Sequence, residues 1–282
     1  SETLFDFKVN LDAMDWEPWQ SPSWEYPKSI AEPDFSSMLV PTVDTTRCCF
    51  LLSMVRPSGS GKGSGGALMT GESGTAKTSV ALMYMDQIYS ENMRLKKINF
   101  SSATSPYTLQ TTLESELDKR GGKNFGPPGG KKMTVFLDDL AMPQVNSWGD
   151  QPTLELVRQI LETSGCCFLD KDKRGDLKHL EDLQYIAAMG APGGGRQDIP
   201  NRLKRHFFIM NMILPSAVAI NEIYGQQLRG RFADNFGKTF KNMIKGLPTC
   251  SIALWTWMRT KMLPSPTKFH YVFNLRELSR IF

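Results

Sequence analysis

The stretch TGESGTAKT, from Thr70 to Thr78, decides the fold of this chain. It follows a short apolar run and opens a helical pattern at Lys77, which is the setting of a phosphate-binding loop between a strand and a helix. Small residues let backbone N–H groups curl around phosphate oxygens, and the helix N-terminus adds a partial positive charge. Taken alone, the stretch could also be a glycine-rich turn before a helix.

The loop predicts a role for each of its residues. The lysine Lys77 supplies a point charge to the β and γ phosphates, and the hydroxyl of Thr78 ligates magnesium. Ala76 stands where the pattern usually has glycine, so we expect its backbone to stay in an ordinary region that tolerates a methyl group. The predicted nucleotide-binding residues of the loop are Gly71, Glu72, Ser73, Gly74, Thr75, Ala76, Lys77 and Thr78.

A second motif, KKMTVFLDDL (Lys131–Leu140), is an apolar strand that ends in two acids. In P-loop ATPases the first acid, here Asp138, holds magnesium through water. The second, Asp139, is where a base orients the attacking water. Two acids at a strand end can also be a solvated edge. Together with the loop, however, they predict a site for ATP or ADP with Mg²⁺ at the carboxyl edge of a sheet.

Short apolar runs alternate with helical patterns through the middle of the chain, which predicts a mostly parallel sheet sandwiched by helices. After Pro215 the strands stop and only helices are predicted. The predicted strands are Ala67–Thr70, Lys97–Ser101, Met133–Asp138, Gln184–Met189 and Phe207–Leu214. The predicted helices are Val43–Val55, Lys77–Asn92, Leu109–Arg120, Thr153–Ser164, Ile199–Arg205, Ala217–Leu228, Phe232–Lys245 and Ser251–Met262.

Composition excludes several classes of protein. The formal net charge is only +4 over 282 residues, and the cations are scattered among acids rather than gathered in a stripe, so no nucleic-acid partner is expected. The chain contains no apolar run of the length that a membrane helix needs, and no signal peptide at Ser1. The five cysteines lack metal or disulfide spacing, which favours reduced thiols in the cytoplasm.

Read with their surroundings, these motifs resemble the third AAA+ module of axonemal dynein heavy chains, from about Trp16 to Phe282. The phrases that carry the resemblance are TGESGTAKT, NFSSATSP (Asn99–Pro106), FGPPGGKKMTVFLDDLAMP (Phe125–Pro143), NSWGDQ (Asn146–Gln151), APGGGRQDIPNRLKRHF (Ala191–Phe207) and LPSPTKFHYVFNLRELSRIF (Leu263–Phe282). The resemblance implies a P-loop AAA+ fold followed by a truncated small α-helical lid domain.

The resemblance also implies roles outside the two motifs. In VPTVDTTR (Val40–Arg47), Val40 and Pro41 match the segment that lies against the adenine. Arg276 matches the sensor arginine that reaches the γ-phosphate. Arg202 and Arg205 match the position of an arginine finger offered to the adjacent module, and their spacing puts both on one helix face. Each could also be an ordinary surface residue.

Three departures from the family pattern set further expectations. A loop at Ser58–Gly66 is interpreted as an insertion that shortens the P-loop strand and could weaken the site. The small domain is expected to be incomplete, because it is cut at Phe282. Ala191 stands where many AAA+ proteins have a polar sensor residue. The expected domains are a strap or linker at residues 1–40, a large nucleotide-binding domain at 41–215 and the lid at 216–282.

Three functions follow from the resemblance and stay open at this point: a regulatory module with slow hydrolysis, a fully active ATPase module, and a structural ring module that never releases its nucleotide. The implied partners are neighbouring AAA+ modules of the same heavy chain and, in the full complex, dynein intermediate and light chains. Microtubules are expected to be contacted only indirectly. The implied location is the cytoplasm and the axoneme of a cilium or flagellum, where the module serves motility.

Overall fold

The computed structural model describes residues 3–10, 12–27, 38–55, 66–173, 175–193, 196–233 and 236–282. Nearly all of the predicted insertion Ser58–Gly66 lies outside these residues. Contacts divide the chain into a first unit, residues 1–50, 73–75 and 214–282, and a second unit, residues 51–72 and 76–213. The division into strap, large domain and lid stays a prediction. Within the described ranges, no helix is both long and apolar enough to cross a membrane.

The strands, in chain order, are β1 (Phe7–Asn10), β2 (Asp15–Pro18), β3 (Gly66–Thr70), β4 (Met93–Asn99), β5 (Asp118–Gly121), β6 (Asn124–Gly126), β7 (Lys132–Asp138), β8 (Gly165–Cys167), β9 (Leu177–Leu180), β10 (Leu183–Met189) and β11 (Phe207–Asn211). The helices are α1 (Val43–Met54), α2 (Lys77–Ile88), α3 (Pro106–Glu114), α4 (Pro152–Thr163), α5 (Asn201–Lys204), α6 (Ala217–Arg231), α7 (Lys238–Lys261) and α8 (Leu275–Ser279).

The second unit is built on a five-stranded sheet in the order β11-β3-β10-β7-β4, and every neighbouring pair is parallel. All residues of the central strand β10 are buried, which means that both faces of the sheet are covered. On one face Tyr185 joins the apolar core formed with α3 and α4. On the other face Gln184 accepts a hydrogen bond from the Tyr84 hydroxyl of α2, at 3.2 Å, and donates one to the Leu52 carbonyl. The predicted parallel sheet flanked by helices is therefore confirmed.

β3 is a full member of this sheet despite its shortness. Its five residues pair with β10 on one side and with β11 on the other. Four of the five, Gly66–Met69, are buried. The strand that leads into the phosphate loop is thus held on both sides, and its predicted shortness does not reduce its pairing.

Three predicted helices had the wrong bounds. The helix predicted at Leu109–Arg120 begins earlier, at Pro106, because the Ser105 hydroxyl caps it by accepting the Thr108 N–H at 3.1 Å. It ends at Glu114, and the following residues form β5. The two helices predicted on either side of residue 248 are one helix, α7, with Pro248 buried inside it.

A second sheet of four short strands, in the order β5-β6-β9-β8, was not predicted. The side chain of Lys178 on β9 is only 9% exposed, and its Nζ lies 2.9 Å from the Glu114 carboxylate at the end of α3. The same Nζ lies 4.8 Å from the ring centroids of both Phe125 and Phe168. A buried cation between two aromatic faces and a carboxylate therefore ties this sheet to α3.

The first unit contains the N-terminal segment. β1 and β2 form an antiparallel hairpin, which the sequence did not predict, and Lys8 and Glu17 pair across it at 2.6 Å. Trp19 makes an edge contact with Phe50 of α1, with ring centroids 5.3 Å apart. Tyr26 packs directly on Gly230 of α6. Aromatic side chains thus hold this segment against α1 and α6.

The helices after residue 214 enclose a small core of their own. Its buried members come from α6, α7 and α8: Ile220, Tyr224, Ile252, Trp255 and Leu278. Tyr224 and Phe282 stack with ring centroids 4.4 Å apart. The predicted change from strands to helices beyond Pro215 is confirmed.

Candidate nucleotide-binding site

The phosphate loop has the predicted context, but Ala76 does not have the predicted backbone. β3 ends at Thr70 and α2 begins at Lys77, so the loop connects a strand directly to a helix. Ala76 is the N-cap residue of α2 and has φ 61° and ψ 19°. This is the left-handed region, where a Cβ costs about 1–2 kcal/mol, because it approaches the following carbonyl. The expectation of an ordinary backbone at Ala76 was wrong.

The two motifs meet at the start of α2. The Thr78 hydroxyl lies 3.1 and 3.3 Å from the two carboxylate oxygens of Asp138, the last residue of β7. The Lys77 ammonium donates to the carbonyls of Gly71 and Glu72, at 2.9 and 2.6 Å, within the loop. The cationic and oxygen-bearing side chains that sequence analysis assigned to phosphate and metal are thus gathered at one edge of the sheet.

The donor set at this edge fits a magnesium ion. A hydroxyl and a carboxylate are hard oxygen ligands, and a magnesium ion bound with a nucleotide takes only one or two such protein ligands plus phosphates and water. Among the described residues, no group of three or more His, Cys, Asp or Glu side chains is placed to hold a metal ion. Thr78 and Asp138 are the residues that would hold the ion.

Asp138 has a second side-chain partner, which was not predicted from the sequence. The Nζ of Lys97, on β4, lies 3.1 Å from Asp138 Oδ2 and 5.7 Å from the centroid of the Phe136 ring. β4 is parallel to β7 and pairs Lys97 with Phe136 and Asn99 with Asp138. No signal for this pairing was present in the sequence, because the predicted strand Lys97–Ser101 has Lys97 as its first residue. The observed strand, β4, begins four residues earlier and ends at Asn99, and this shift brings Lys97 close to the carboxyl edge of the sheet.

Asp139, the expected base, lies just beyond the end of β7. It is exposed and has φ 56°, a conformation in which aspartate is less disfavoured than most residues. Its carbonyl accepts the N–H of Met142 at 3.0 Å, and the next residue, Leu140, donates to the Ala188 carbonyl. These bonds fix the backbone around Asp139. Ala191 follows β10 closely and is exposed, and its methyl group offers no hydrogen bond.

The tip of the loop, residues 73–75, belongs to the first unit and packs there against the start of α8. A Cβ built on Gly74 would lie 3.1 Å from the Leu275 nitrogen and 3.2 Å from the Asn274 Cβ, and Gly74 has φ 85°. Asn274 caps α8 by accepting the N–H groups of Arg276 and Glu277. Arg276, the expected sensor arginine, is exposed on the first turn of this short helix.

Val40 and Pro41, the residues expected at the adenine, are both buried in the first unit. Gln227 of α6 donates a hydrogen bond at 3.4 Å to the carbonyl of Met38, just before them. Thr42 and Thr45 then exchange hydrogen bonds at the start of α1. The segment is thus held at both ends, and its contact with adenine stays a prediction.

The two candidate finger arginines are paired with carboxylates of their own unit. Arg202, with a side chain 56% exposed, lies 2.9 Å from Glu155. Arg205, 64% exposed, lies 3.0 Å from Glu162. Both carboxylates belong to α4, where they lie about two helical turns apart, so the two arginines pair with the same helix. Arg158 pairs with both of these glutamates as well.

Comparison with known proteins agrees with this geometry. Residues 26–215 match the model of a family described as the P-loop containing dynein motor region. Residues 247–282 match a family described as the AAA+ lid domain. The chain belongs to the dynein motor family. The AAA+ P-loop fold, a parallel sheet flanked by helices and followed by a lid, is the fold of this dynein module.

Several curated relatives are axonemal or flagellar dyneins. The chain is 44% identical over 285 residues to the flagellar outer-arm dynein gamma chain of Chlamydomonas reinhardtii. It is 46% identical over 284 residues to mouse dynein axonemal heavy chain 8, and 44% identical over 284 residues to rat dynein axonemal heavy chain 5. These matches cover 99–100% of the chain but only 6–8% of each relative. The similarity therefore concerns one segment of a much longer protein.

Proposed function

We propose that this module binds ATP or ADP with Mg²⁺ within the motor ring of an axonemal dynein heavy chain. The observation that carries the proposal is the approach of Thr78 to Asp138, at 3.1 Å, directly beside the phosphate loop. A hydroxyl and a carboxylate at this distance can share one small cation. That cation, when bound with the nucleotide, would neutralise phosphate charge.

The residues around this pair have distinct proposed roles. Lys77 would leave its two carbonyl partners for the β and γ phosphates, while the loop amides hold the phosphate oxygens. Asp138 would orient the metal-bound water, and Asp139 would orient the attacking water. Arg276 would reach the γ-phosphate, and Val40 and Pro41 would contact the adenine. Arg202 and Arg205 would leave their carboxylate partners on α4 and bind the nucleotide of the adjacent module.

We also propose that this module is the third one in the ring. It is supported by the phrases around the site, notably NSWGDQ at Asn146–Gln151 and APGGGRQDIPNRLKRHF at Ala191–Phe207. Sequencing the complete transcript tests it directly. This segment is expected to be the third of the P-loop modules along the encoded chain, and any other position would refute the assignment.

Slow hydrolysis, and hence a regulatory role, is supported by the residues at the water-activating positions. Asp139 is one methylene shorter than the glutamate that is common in AAA+ sites, and its backbone is fixed by two flanking hydrogen bonds. A displacement near 1 Å can cost on the order of a hundredfold in rate when positioning controls a reaction. Ala191 has no polar group with which to hold the water. Binding would survive, because Lys77, Thr78 and Asp138 are in place.

Single-turnover hydrolysis in the assembled motor ring tests this role. We expect Asp139→Glu to speed hydrolysis and Asp139→Asn to change an already slow rate little. Lys77→Ala is the control, because it should abolish tight binding of a fluorescent ATP analogue. A large loss with Asp139→Asn would make this module a fully active ATPase. Bound nucleotide that never exchanges in the parent ring would instead indicate a structural module.

The wider setting of the module is also proposed from its relatives. Neighbouring AAA+ modules of the same heavy chain are the direct partners, and dynein intermediate and light chains belong to the full complex. Microtubules would be contacted only through other parts of the heavy chain. The relatives are named as axonemal and flagellar dyneins, which supports a place in the axoneme of a cilium or flagellum.

A further inference from the structure

Lys97 is placed to act on the metal site through Asp138. In a parallel pair, side chains at matched positions point to the same side, and those two residues further along do so again. Lys97 is matched with Phe136, and Asp138 follows Phe136 by two. The lysine stem can therefore run along the Phe136 ring and bring Nζ to Asp138 Oδ2, at 3.1 Å.

The carboxylate of Asp138 needs a cation at this place. Its side chain is only 14% exposed, and a carboxylate withdrawn from water is costly unless a charge or hydrogen bond compensates it. Thr78 contributes a neutral hydroxyl, whereas Lys97 contributes a full positive charge. Lys97 thus supplies a cation that pairs directly with Asp138.

We propose that Lys97 is a positioning residue which compensates Asp138 when no metal is bound and competes with Mg²⁺ for that carboxylate. The inference rests on the proposed nucleotide site. A magnesium ion that arrives with the nucleotide must displace the ammonium from Asp138 or share the carboxylate with it. Lys97 therefore lowers the affinity for Mg²⁺ and stabilises the metal-free site, so that nucleotide retention depends on the Mg²⁺ concentration.

The neighbouring residue Lys96 supplies a matched control. It lies on the same strand, but its Nζ pairs with Glu116 at 2.6 Å instead of Asp138. Lys97→Met and Lys96→Met remove the same charge and keep a similar stem. Lys97→Arg retains a charge at the site and is expected to keep the Mg²⁺ dependence of the parent.

The experiment titrates Mg²⁺ against binding of N-methylanthraniloyl-ADP to the chain. We expect Lys97→Met to reach half-maximal binding at about tenfold less Mg²⁺ than the parent, because a nearby positive charge is removed. Lys96→Met should follow the parent. Equal Mg²⁺ dependence of the parent and Lys97→Met would overturn the proposal. A parent that binds no nucleotide would instead overturn the proposed function itself, so the two failures are distinguishable.

Thermal melting without nucleotide or Mg²⁺ provides a second readout. Lys97→Met should melt below both the parent and Lys96→Met, because Asp138 loses its counter-charge. The same substitution should have little effect on an Asp138→Asn background, where no charge remains to be compensated. An equal effect of Lys97→Met on both backgrounds would assign Lys97 a packing role only and overturn the electrostatic one.

Discussion

At the scale of single residues, the motifs indicated which side chains matter but not the backbone that carries them. The sequence motifs predicted Lys77, Thr78 and Asp138 as site residues. A lysine and a hydroxyl at the end of a glycine-rich loop, followed by an acid at the end of an apolar strand, are typical of a nucleotide site. The left-handed backbone of Ala76 and the pairing of Lys97 with Asp138 were not predicted. Both depend on how the loop and the strand edge close in three dimensions.

Because Ala76 has a left-handed backbone, we expect an alanine-to-glycine substitution to stabilise the chain at this position and to destabilise it inside α2. We expect Ala76→Gly to raise the free energy of unfolding by about 0.5–1 kcal/mol, because relief of the left-handed penalty exceeds the added entropy of the unfolded chain. Ala81→Gly, in the interior of α2, should lower it by about 1 kcal/mol. Urea unfolding measures both. Destabilisation by Ala76→Gly would contradict the left-handed backbone.

At the scale of elements, the apolar strands were predictable and the polar ones were not. β7 and β10 read as nearly continuous apolar runs because the sheet is covered on both faces. β5, with the sequence DKRG, is exposed along its whole length and has no pattern that distinguishes it from a helix end. α7 was predicted as two helices, whereas the observed helix continues through the buried Pro248, although proline inside a helix normally breaks it.

The buried cation of the small sheet gives a prediction at this scale. Lys178→Met is expected to destabilise the chain by about 2–3 kcal/mol, because Glu114 keeps its charge without a counter-charge and retains only neutral partners such as the Gln110 amide. Adding Glu114→Gln should restore much of the loss, since the remaining groups are then neutral. Thermal or urea unfolding of the two single variants and the double variant measures the coupling. Additive losses would mean that Lys178 contributes only packing on Phe125 and Phe168.

At the scale of the whole molecule, burial divides the cysteines into reactive and protected thiols. All five lie among the described residues, and none forms a disulfide bond. Burial raises the pKa of Cys49 to about 12, and burial together with the Glu114 charge raises the pKa of Cys166 to about 12. Cys250 is exposed on α7. One thiol of each adjacent pair is therefore buried, Cys49 and Cys166, whereas Cys48 and Cys167 are partly exposed.

This division predicts an order of modification. A maleimide applied near pH 8 should label Cys250 rapidly and leave Cys49 and Cys166 protected, because the nucleophile is the thiolate and these two thiols stay protonated. Mass spectrometry of digested protein locates the label. Cys250→Ser should remove the fast phase, and urea should expose the remaining sites. Labelling of Cys166 as fast as Cys250 in the native chain would contradict the burial of Cys166 on β8.

The strand order of the main sheet also determines when the phosphate loop can form during synthesis. β3 pairs only with β10 and β11, which begin at Leu183 and Phe207, far along the chain from Thr70. Translation adds about 5–20 residues per second, so the nascent chain carries β3 without either neighbour for several seconds. During that interval the apolar side chains and the unpaired backbone N–H and C=O groups of β3 are exposed, so the strand can pair with a wrong partner. Cotranslational chaperones are thus expected to bind the segment around β3 until β10 has left the ribosome.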